Sequence, residues 1–160
     1  AQCLPLLPSN SKLKLVQLGK VMSPDFKKQA MSFEKNMMRY QWLGQLSHSK
    51  ILQWLSRSHV MIISSVMEGG AHVVSEAIAI GIPVIASDIP GNRGLLGDHY
   101  PAFYPVGDKV ALSMLLTQAE SNPSFYQKLC KAVAGRQKIT KPELEQKSIQ
   151  KLIRELFSKP

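Results

Sequence analysis

Hydrophobic positions along the chain switch repeatedly between the two-residue period of a β-strand and the helical period. Residues 13–18 alternate apolar and polar side chains and stop at Gly19, which predicts a strand, and residues 38–43 predict a second strand that ends at Gly44. Val60 to Ile63 is a short continuous apolar run, typical of a strand covered on both sides. The remaining predicted elements are strands at 84–86 and 102–104 and helices at about 23–36, 47–57, 72–80, 108–120, 123–135 and 142–157.

Strands that alternate with helices predict right-handed crossovers and a parallel sheet. We therefore expect the α/β class: a doubly wound, Rossmann-like parallel sheet with helices on both faces. The chain contains no long linker or repeat, so residues 1–160 are expected to form a single domain that includes a C-terminal helix at 140–160. Residues 87–92 are predicted to be a loop, and a short helical turn is expected near 93–96.

Composition narrows the class of protein. The 160 residues are 44% hydrophobic and contain two cysteines, too few for a disulfide framework. No apolar run has the length of a membrane span, and the N-terminus lacks a signal-peptide pattern. We expect a cytoplasmic protein without stable membrane insertion. The chain begins Ala-Gln-Cys-Leu without a methionine, which favours a piece of a longer polypeptide.

The net charge of +9 is unevenly distributed. The first sixty residues carry nine Lys and Arg against two acids, and the last forty carry nine against three, whereas residues 61–120 carry two against six. The basic residues at both ends are spread singly over predicted helices, a pattern typical of solvated helix faces. No nucleic-acid-binding motif accompanies them. We expect no nucleic-acid partner.

The loop between the third strand and the helix that begins near His72 carries the most informative chemistry. Ligands of such sheets bind outside the carboxyl ends of the strands. Gly69, Gly70 and Ala71 let a ligand approach the backbone closely, and the free amides of the following helical turn favour an anion. A carboxylate just before the helix and another eight positions later, Glu68 and Glu76, suit recognition of hydroxyl groups on either side of a bound phosphate.

A structural interpretation of the same residues stays open. Glu68 could simply complement the helix dipole, and Glu76 could lie on an exposed face. His72, at the mouth of the helix, could be a general base, a phosphate ligand or an ordinary helix-start residue. Arg93 is the only cation between Arg57 and Lys109 and could contact a phosphate or play a structural role.

The residues after the loop resemble a known signature. Two glutamates eight positions apart are followed by Gly81 and Pro83 at a helix end, a strand at 84–86, and a turn that ends in Gly91. This combination resembles the donor site of GT-B glycosyltransferases of family 4, also called group 1. The resemblance covers roughly residues 13–120, and Gly44 resembles the family's strand-end glycine near the nucleotide base.

The resemblance implies a role for each matched residue. Glu68 would contact the donor sugar, and Glu76 would bind the ribose hydroxyls. The residues from Gly44 to Leu46 would border the base. The backbone amides of Gly70, Ala71, His72 and Val73 would hold the distal phosphate, and Gly69 would belong to the same donor-binding loop. No cofactor or metal would be required, because a UDP-sugar is the donor substrate and the reaction depends on electrostatic stabilisation of the leaving nucleoside diphosphate.

Two departures from the family's pattern affect what the chain is expected to do. Gly70-Ala71 stands where the family usually has Phe-Gly, so the shape around the sugar differs. The family's first strand of this domain, with its Arg and Lys, has no match before Lys12, and the acceptor-binding N-terminal domain is absent from the sequence. The chain is then a donor-binding half, expected to be inactive alone and to partner with its own N-terminal domain.

A narrower resemblance involves residues 67–77, 90–101 and 104–108. They resemble the bacterial selenosugar synthases of selenoneine biosynthesis, which join a sugar from a UDP-sugar to selenium from selenophosphate. Two other classes remain open: a GT-B-like UDP-sugar epimerase or hydrolase, and a non-catalytic module that binds nucleotide sugars. An epimerase or hydrolase should show additional catalytic carboxylates or histidines, and only Glu68, Glu76 and His72 cluster in the sequence.

Overall fold

The computed structural model describes residues 1–20, 23–67 and 72–140. Of the predicted helix at 140–160, residues 141–160 lie outside the described residues. The strands are β1 (Leu15–Gln17), β2 (Tyr40–Trp42), β3 (Met61–Ile63), β4 (Val84–Ser87) and β5 (Phe103–Tyr104). The α-helices are α1 (Pro24–Asn36), α2 (His48–Ser56), α3 (His72–Ile80), α4 (Pro90–Leu96), α5 (Lys109–Ser121) and α6 (Pro123–Arg136). Short 3₁₀ turns occupy Leu4–Leu6 and Gln137–Thr140.

All strand pairs in the described residues are parallel, in agreement with the predicted α/β class. Their hydrogen bonds form two sheets, with the orders β1-β2 and β3-β4-β5, where the sequence predicts one. The chain divides into two compact units: a first unit of residues 1–58 and 108–126, and a second unit whose described residues are 59–67, 72–107 and 127–140. Each unit is described by itself.

In the first unit, α1 connects two strands that pair in the register Leu15 to Tyr40 and Gln17 to Trp42. The helix begins where the sequence predicts, because the Ser23 Oγ accepts a hydrogen bond from the Phe26 amide at 3.3 Å and proline occupies the first turn. Ala30 is its only buried residue. The hydrophobic core of this unit is therefore thin along α1.

The second unit has a denser core around β4. All four β4 residues are buried, and α3 covers the sheet with Val74, Ala77 and Ile78, each 0% exposed. The helix ends at Gly81, whose φ of +90° favours glycine, and the amides of residues 81 and 82 both donate to the Ala77 carbonyl. The predicted bounds of α3 are confirmed.

Two local predictions differ from the structure. The segment at 90–92 belongs to α4 rather than to a loop, because proline fits the first helical turn after the extended Ile89. The second difference is in β3, which the sequence predicts to be covered on both faces. Met61 is buried, but Ile62 and Ile63 are only half-buried by the described residues.

Candidate functional site

The amino end of α3 follows the carboxyl end of β3, as the sequence predicts. His72 is exposed and Val73 is half-buried, whereas Val74 is fully buried. The first turn of an α-helix leaves amide donors without intrahelical acceptors, and the helix dipole adds partial positive charge there. This end of α3 can therefore hold an anion next to the carboxyl edge of a parallel sheet.

Glu76 lies one helical turn after His72, so the two side chains share one side of α3. The opposite side of the helix carries the fully buried Val74 and Ile78. Glu76 is half-buried and participates in an interaction, so it is not a bare surface carboxylate. Its position combines a constrained backbone with access to solvent, which suits a hydrogen-bond acceptor for a ligand.

Four predicted site residues lie outside the described residues: Glu68, Gly69, Gly70 and Ala71. Their roles therefore stay predictions. The preceding segment is described as far as Met67, and its Val66 and Met67 side chains are 73% and 87% exposed. The backbone that leads to Glu68 thus has little side-chain packing of its own.

In the first unit, the loops that follow β1 and β2 are joined by hydrogen bonds. The Gly19 amide donates to the Gly44 carbonyl at 2.8 Å, and the Trp42 indole Nε1 donates to the Gly19 carbonyl at 3.3 Å. Gly44 has a φ of +64°, a left-handed conformation that other residues adopt at a cost. Leu46 is half-buried just before α2. The predicted base-bordering residues thus lie in a loop with a defined conformation.

Arg93, one candidate for phosphate binding, has protein partners in the second unit. Its Nε and Nη2 donate to the two carboxylate oxygens of Asp88 at 2.5 and 2.8 Å, and its guanidinium lies 5.1 Å from the centre of the Phe103 ring. The Arg93 hydrogen bonds lower the pKa of the Asp88 carboxyl. For Arg93 the sequence left a phosphate contact and a structural role open, and the contacts observed in the structure are structural ones.

Sequence reasoning missed a buried polar cluster between β4 and α4. The Asn92 Nδ2 donates to the Ser87 carbonyl at 2.9 Å and to the Ser87 Oγ at 3.2 Å, and the Ser87 Oγ donates to the Ser65 carbonyl at 2.7 Å. Asn92 is 0% exposed and Ser87 is 1% exposed. In the sequence, Ser87 and Asn92 are the first and last residues of a predicted loop. Polar residues are common at such positions, so the pattern does not indicate that these two are buried.

Neither a metal cluster nor a membrane-spanning helix is found in the described ranges. No three His, Cys, Asp or Glu side chains of residues 1–20, 23–67 and 72–140 are grouped so as to hold a metal ion. None of the helices in the same ranges combines the length and apolar character needed to cross a membrane.

Most of the chain matches a known protein family. The model of the family described as glycosyl transferases group 1 matches residues 2–136, most of the sequence. The chain belongs to the group 1 glycosyltransferase family. The family resemblance inferred from the sequence signature is confirmed, whereas the narrower selenosugar synthase resemblance stays a prediction.

Two kinds of relative agree with this family. A Bacillus subtilis (strain 168) protein named for teichuronic acid biosynthesis, the glycosyltransferase TuaC, is 30% identical over 77 residues, which are 48% of this chain and 20% of TuaC. Sucrose-phosphate synthase from Thermosynechococcus elongatus is a structural neighbour with a TM-score of 0.74 and 24% identity, over 91% of this chain and 39% of that one.

The Anabaena protein HepE (Alr3699), solved in complex with UDP-glucose, is similar in fold with a TM-score of 0.76 and 19% identity, over 98% of this chain and 43% of that one. These likenesses confirm the fold class, an α/β fold with parallel sheets and helices on both sides. The chain spans less than half the length of each of these relatives.

Proposed function

We propose that this chain is the donor-binding part of a group 1 glycosyltransferase whose donor is a UDP-sugar. The observation that carries the proposal is the opening of α3 at the carboxyl end of β3, with Glu76 one turn inside on the same side as His72. The family match supports the reaction class. The complexes of HepE with UDP and with UDP-glucose support the donor class.

Each group in the proposed site has a distinct task. The amides of His72 and Val73, with those of Gly70 and Ala71, hold the distal phosphate, and the dipole of α3 stabilises its charge. Glu76 accepts hydrogen bonds from the ribose hydroxyls. Gly69 lets the diphosphate approach the backbone. Glu68 accepts from the hydroxyls of the donor sugar.

The proposed chemistry is a transfer of the glycosyl group. The bond between the anomeric carbon and the phosphate oxygen breaks, and the electron pair leaves with UDP. The acceptor atom forms the new bond to the anomeric carbon, and an acceptor that carries a proton releases it to solvent. The helix amides act on the charge that develops on the leaving diphosphate, so the site needs no covalent nucleophile.

The first test is calorimetric titration of the folded protein with UDP and UDP-glucose. Glu76→Ala should weaken UDP binding by about 1.5–3 kcal/mol, because a hydrogen bond to a charged group is lost. Glu68→Ala should spare UDP and weaken UDP-glucose. Asp98→Asn is the matched control, since its side chain is 79% exposed and has no proposed ligand contact. Equal losses of UDP affinity in both glutamate variants would contradict the assigned roles.

The finer proposal is that the acceptor is selenophosphate, as the selenosugar synthase resemblance implies. Selenium would attack the anomeric carbon, UDP would leave, and the sugar would become bonded to selenium. Mass spectrometry of reactions that contain a UDP-sugar and selenophosphate tests this, with inorganic phosphate as the matched acceptor control. Turnover with another acceptor but no selenium-containing product would reject selenophosphate while leaving the UDP-sugar donor intact.

A further inference from the structure

Three hydrogen bonds connect the chain that follows β1 to the chain at the end of β2. The Leu43 amide donates to the Gln17 carbonyl at 3.0 Å, and the Gly19 amide donates to the Gly44 carbonyl at 2.8 Å. The Trp42 indole Nε1 donates to the Gly19 carbonyl at 3.3 Å. Gly19 is therefore held twice, through its carbonyl by a side chain of β2 and through its amide by the loop after β2.

Side-chain packing contributes little to the position of these two loops. No β1 residue is buried, and α1, which connects the strands, buries only Ala30. Gly19 and Gly44 have φ angles of +126° and +64°, which favour glycine and turn the chain away from the extended strand conformation. The hydrogen bonds between the loops are therefore the main interactions that fix one loop against the other.

Trp42 is the side chain that completes this connection. It is half-buried at the end of β2, and its ring lies beside the loop, since a Cβ added to Gly44 would be 4.0 Å from the ring. A phenylalanine would offer a similar apolar ring but no donor for the Gly19 carbonyl. The indole thus ties Gly19 to β2, and Gly19 in turn holds the carbonyl of Gly44, the first of the predicted base-bordering residues.

We propose that Trp42, acting through Gly19, is a positioning residue that fixes the loop at 44–46 for the uracil base of the donor. This inference rests on the proposed function and on the predicted role of Gly44 and Leu46 beside the base. The phosphate contacts are assigned to the loop and helix around His72, which do not depend on Trp42. Loss of the indole donor should weaken every ligand that contains uracil and spare a ligand that consists of phosphates alone.

The principal variant is Trp42→Phe, which keeps an aromatic ring and removes the N–H donor. Calorimetric titration of the folded variant should show UDP and UDP-glucose weakened by the same factor, about three- to tenfold, as expected for the loss of one neutral hydrogen bond. Inorganic pyrophosphate, which has no base, should bind as it does to the wild type. A merely structural role would not separate UDP from pyrophosphate.

Gly19→Ala tests the same connection from its other end. An added Cβ would meet nothing within 4 Å, so space is available, but alanine is disfavoured at a φ of +126°. The loop should leave this conformation, and the same selective loss of UDP and UDP-glucose should follow. This variant keeps the proposal testable where Trp42→Phe does not fold.

Trp54→Phe is the matched control. It makes the same chemical change at the other tryptophan of the chain, which lies on α2 and is 37% exposed. We expect this variant to bind UDP, UDP-glucose and pyrophosphate as the wild type does.

Hydrogen exchange of the Gly19 amide provides a readout without ligand, and Trp42→Phe should accelerate it whereas Trp54→Phe should not. Where the wild type binds UDP, two results would overturn the positioning role alone. One is unchanged UDP affinity in folded Trp42→Phe and Gly19→Ala, and the other is an equal loss of UDP and pyrophosphate. A folded wild type that binds neither UDP nor UDP-glucose would overturn the proposed function and this inference with it.

Discussion

The two compact units differ most in how their strands and helices are buried. In the second unit, every residue of β4 is buried and α3 contributes three residues with no exposure. In the first unit, no β1 residue is buried and α1 buries only Ala30. The proposed phosphate-binding helix α3 is therefore held in place by a densely packed core. The conformation of the proposed base-binding loop is instead maintained mainly by backbone hydrogen bonds and by the left-handed conformation of Gly44.

The largest expected difference between the two units is the loss of unfolding free energy when a strand side chain is cut back to alanine. Ile85→Ala should lower the free energy of unfolding by about 3–4 kcal/mol, because Ile85 is fully buried and its removal leaves a cavity as well as lost burial. Leu15→Ala, at a half-buried position of β1, should cost about 1–1.5 kcal/mol. Urea denaturation monitored by circular dichroism measures both, and equal costs would remove the contrast between the cores.

The second-largest effect is a loss of stability at high pH, caused by the buried Tyr100 hydroxyl in the core of the second unit. The Tyr100 hydroxyl accepts from the Val84 amide and donates to the Val84 carbonyl, at 3.0 and 2.8 Å, and burial raises its pKa from 10.0 to about 12. Because the folded pKa is raised, the stability is present below pH 10 and is lost as the pH rises toward 12. The loss should be about 2–3 kcal/mol relative to Tyr100→Phe.

Denaturation of wild type and Tyr100→Phe at pH 9 and pH 12 isolates this contribution, since other basic and phenolic groups titrate alike in both proteins. Parallel pH curves would show that the Tyr100 hydroxyl is not buried as the structure has it.

A smaller effect is expected from the loop after β2. Gly44→Ala should cost about 1–2 kcal/mol, because alanine is disfavoured at a φ of +64°. Space is not the obstacle, since an added Cβ would lie 4.0 Å from the Trp42 ring. Gly94→Ala, in α4, is the matched control, because its Cβ would meet nothing within 4 Å. Since alanine favours a helix more than glycine does, this variant should raise the free energy of unfolding by about 0.5–1 kcal/mol. Thermal unfolding of both variants decides whether the conformation of Gly44 is required.

The smallest expected effect is at the surface of the second unit. Asp88→Asn removes one charge of the Asp88–Arg93 pair, whose side chains are 36% and 39% exposed, so solvent weakens the interaction. The lowered pKa of Asp88 means that its contribution is present at neutral pH and is lost as the pH falls below 3.8. The difference in melting temperature between the wild type and Asp88→Asn should be larger at pH 7 than at pH 3.

Local signals in the sequence predicted most elements of the fold. Ser23 and Pro24 mark the start of α1, and Gly81 and Pro83 mark the end of α3, because caps and turns depend on residues close in sequence. Pro90-Gly91 is equally compatible with a turn, so the start of α4 was predicted too late. Whether the strand hydrogen bonds form one sheet or two is a non-local property and was not predicted correctly.

The candidate site was predicted in part for the same reason. Glu76 and His72 share one side of α3 because helical spacing alone places them there. The partners of Arg93 were not predictable, since Asp88 and Phe103 meet it only after α4 and β5 form. The burial of Asn92 was likewise invisible in a short polar stretch.

The sequence by itself determined the alternation of strands and helices, the helix caps and the glycines at strand ends, because each depends on neighbouring residues. It also contained the family signature around α3, a pattern of residue types at fixed spacing. The tertiary structure alone decided that Arg93 pairs with Asp88 and that Asn92 reaches Ser87 in the core. Those contacts require segments to pack within one unit, and packing decides which polar atoms lose water and must find partners in the protein.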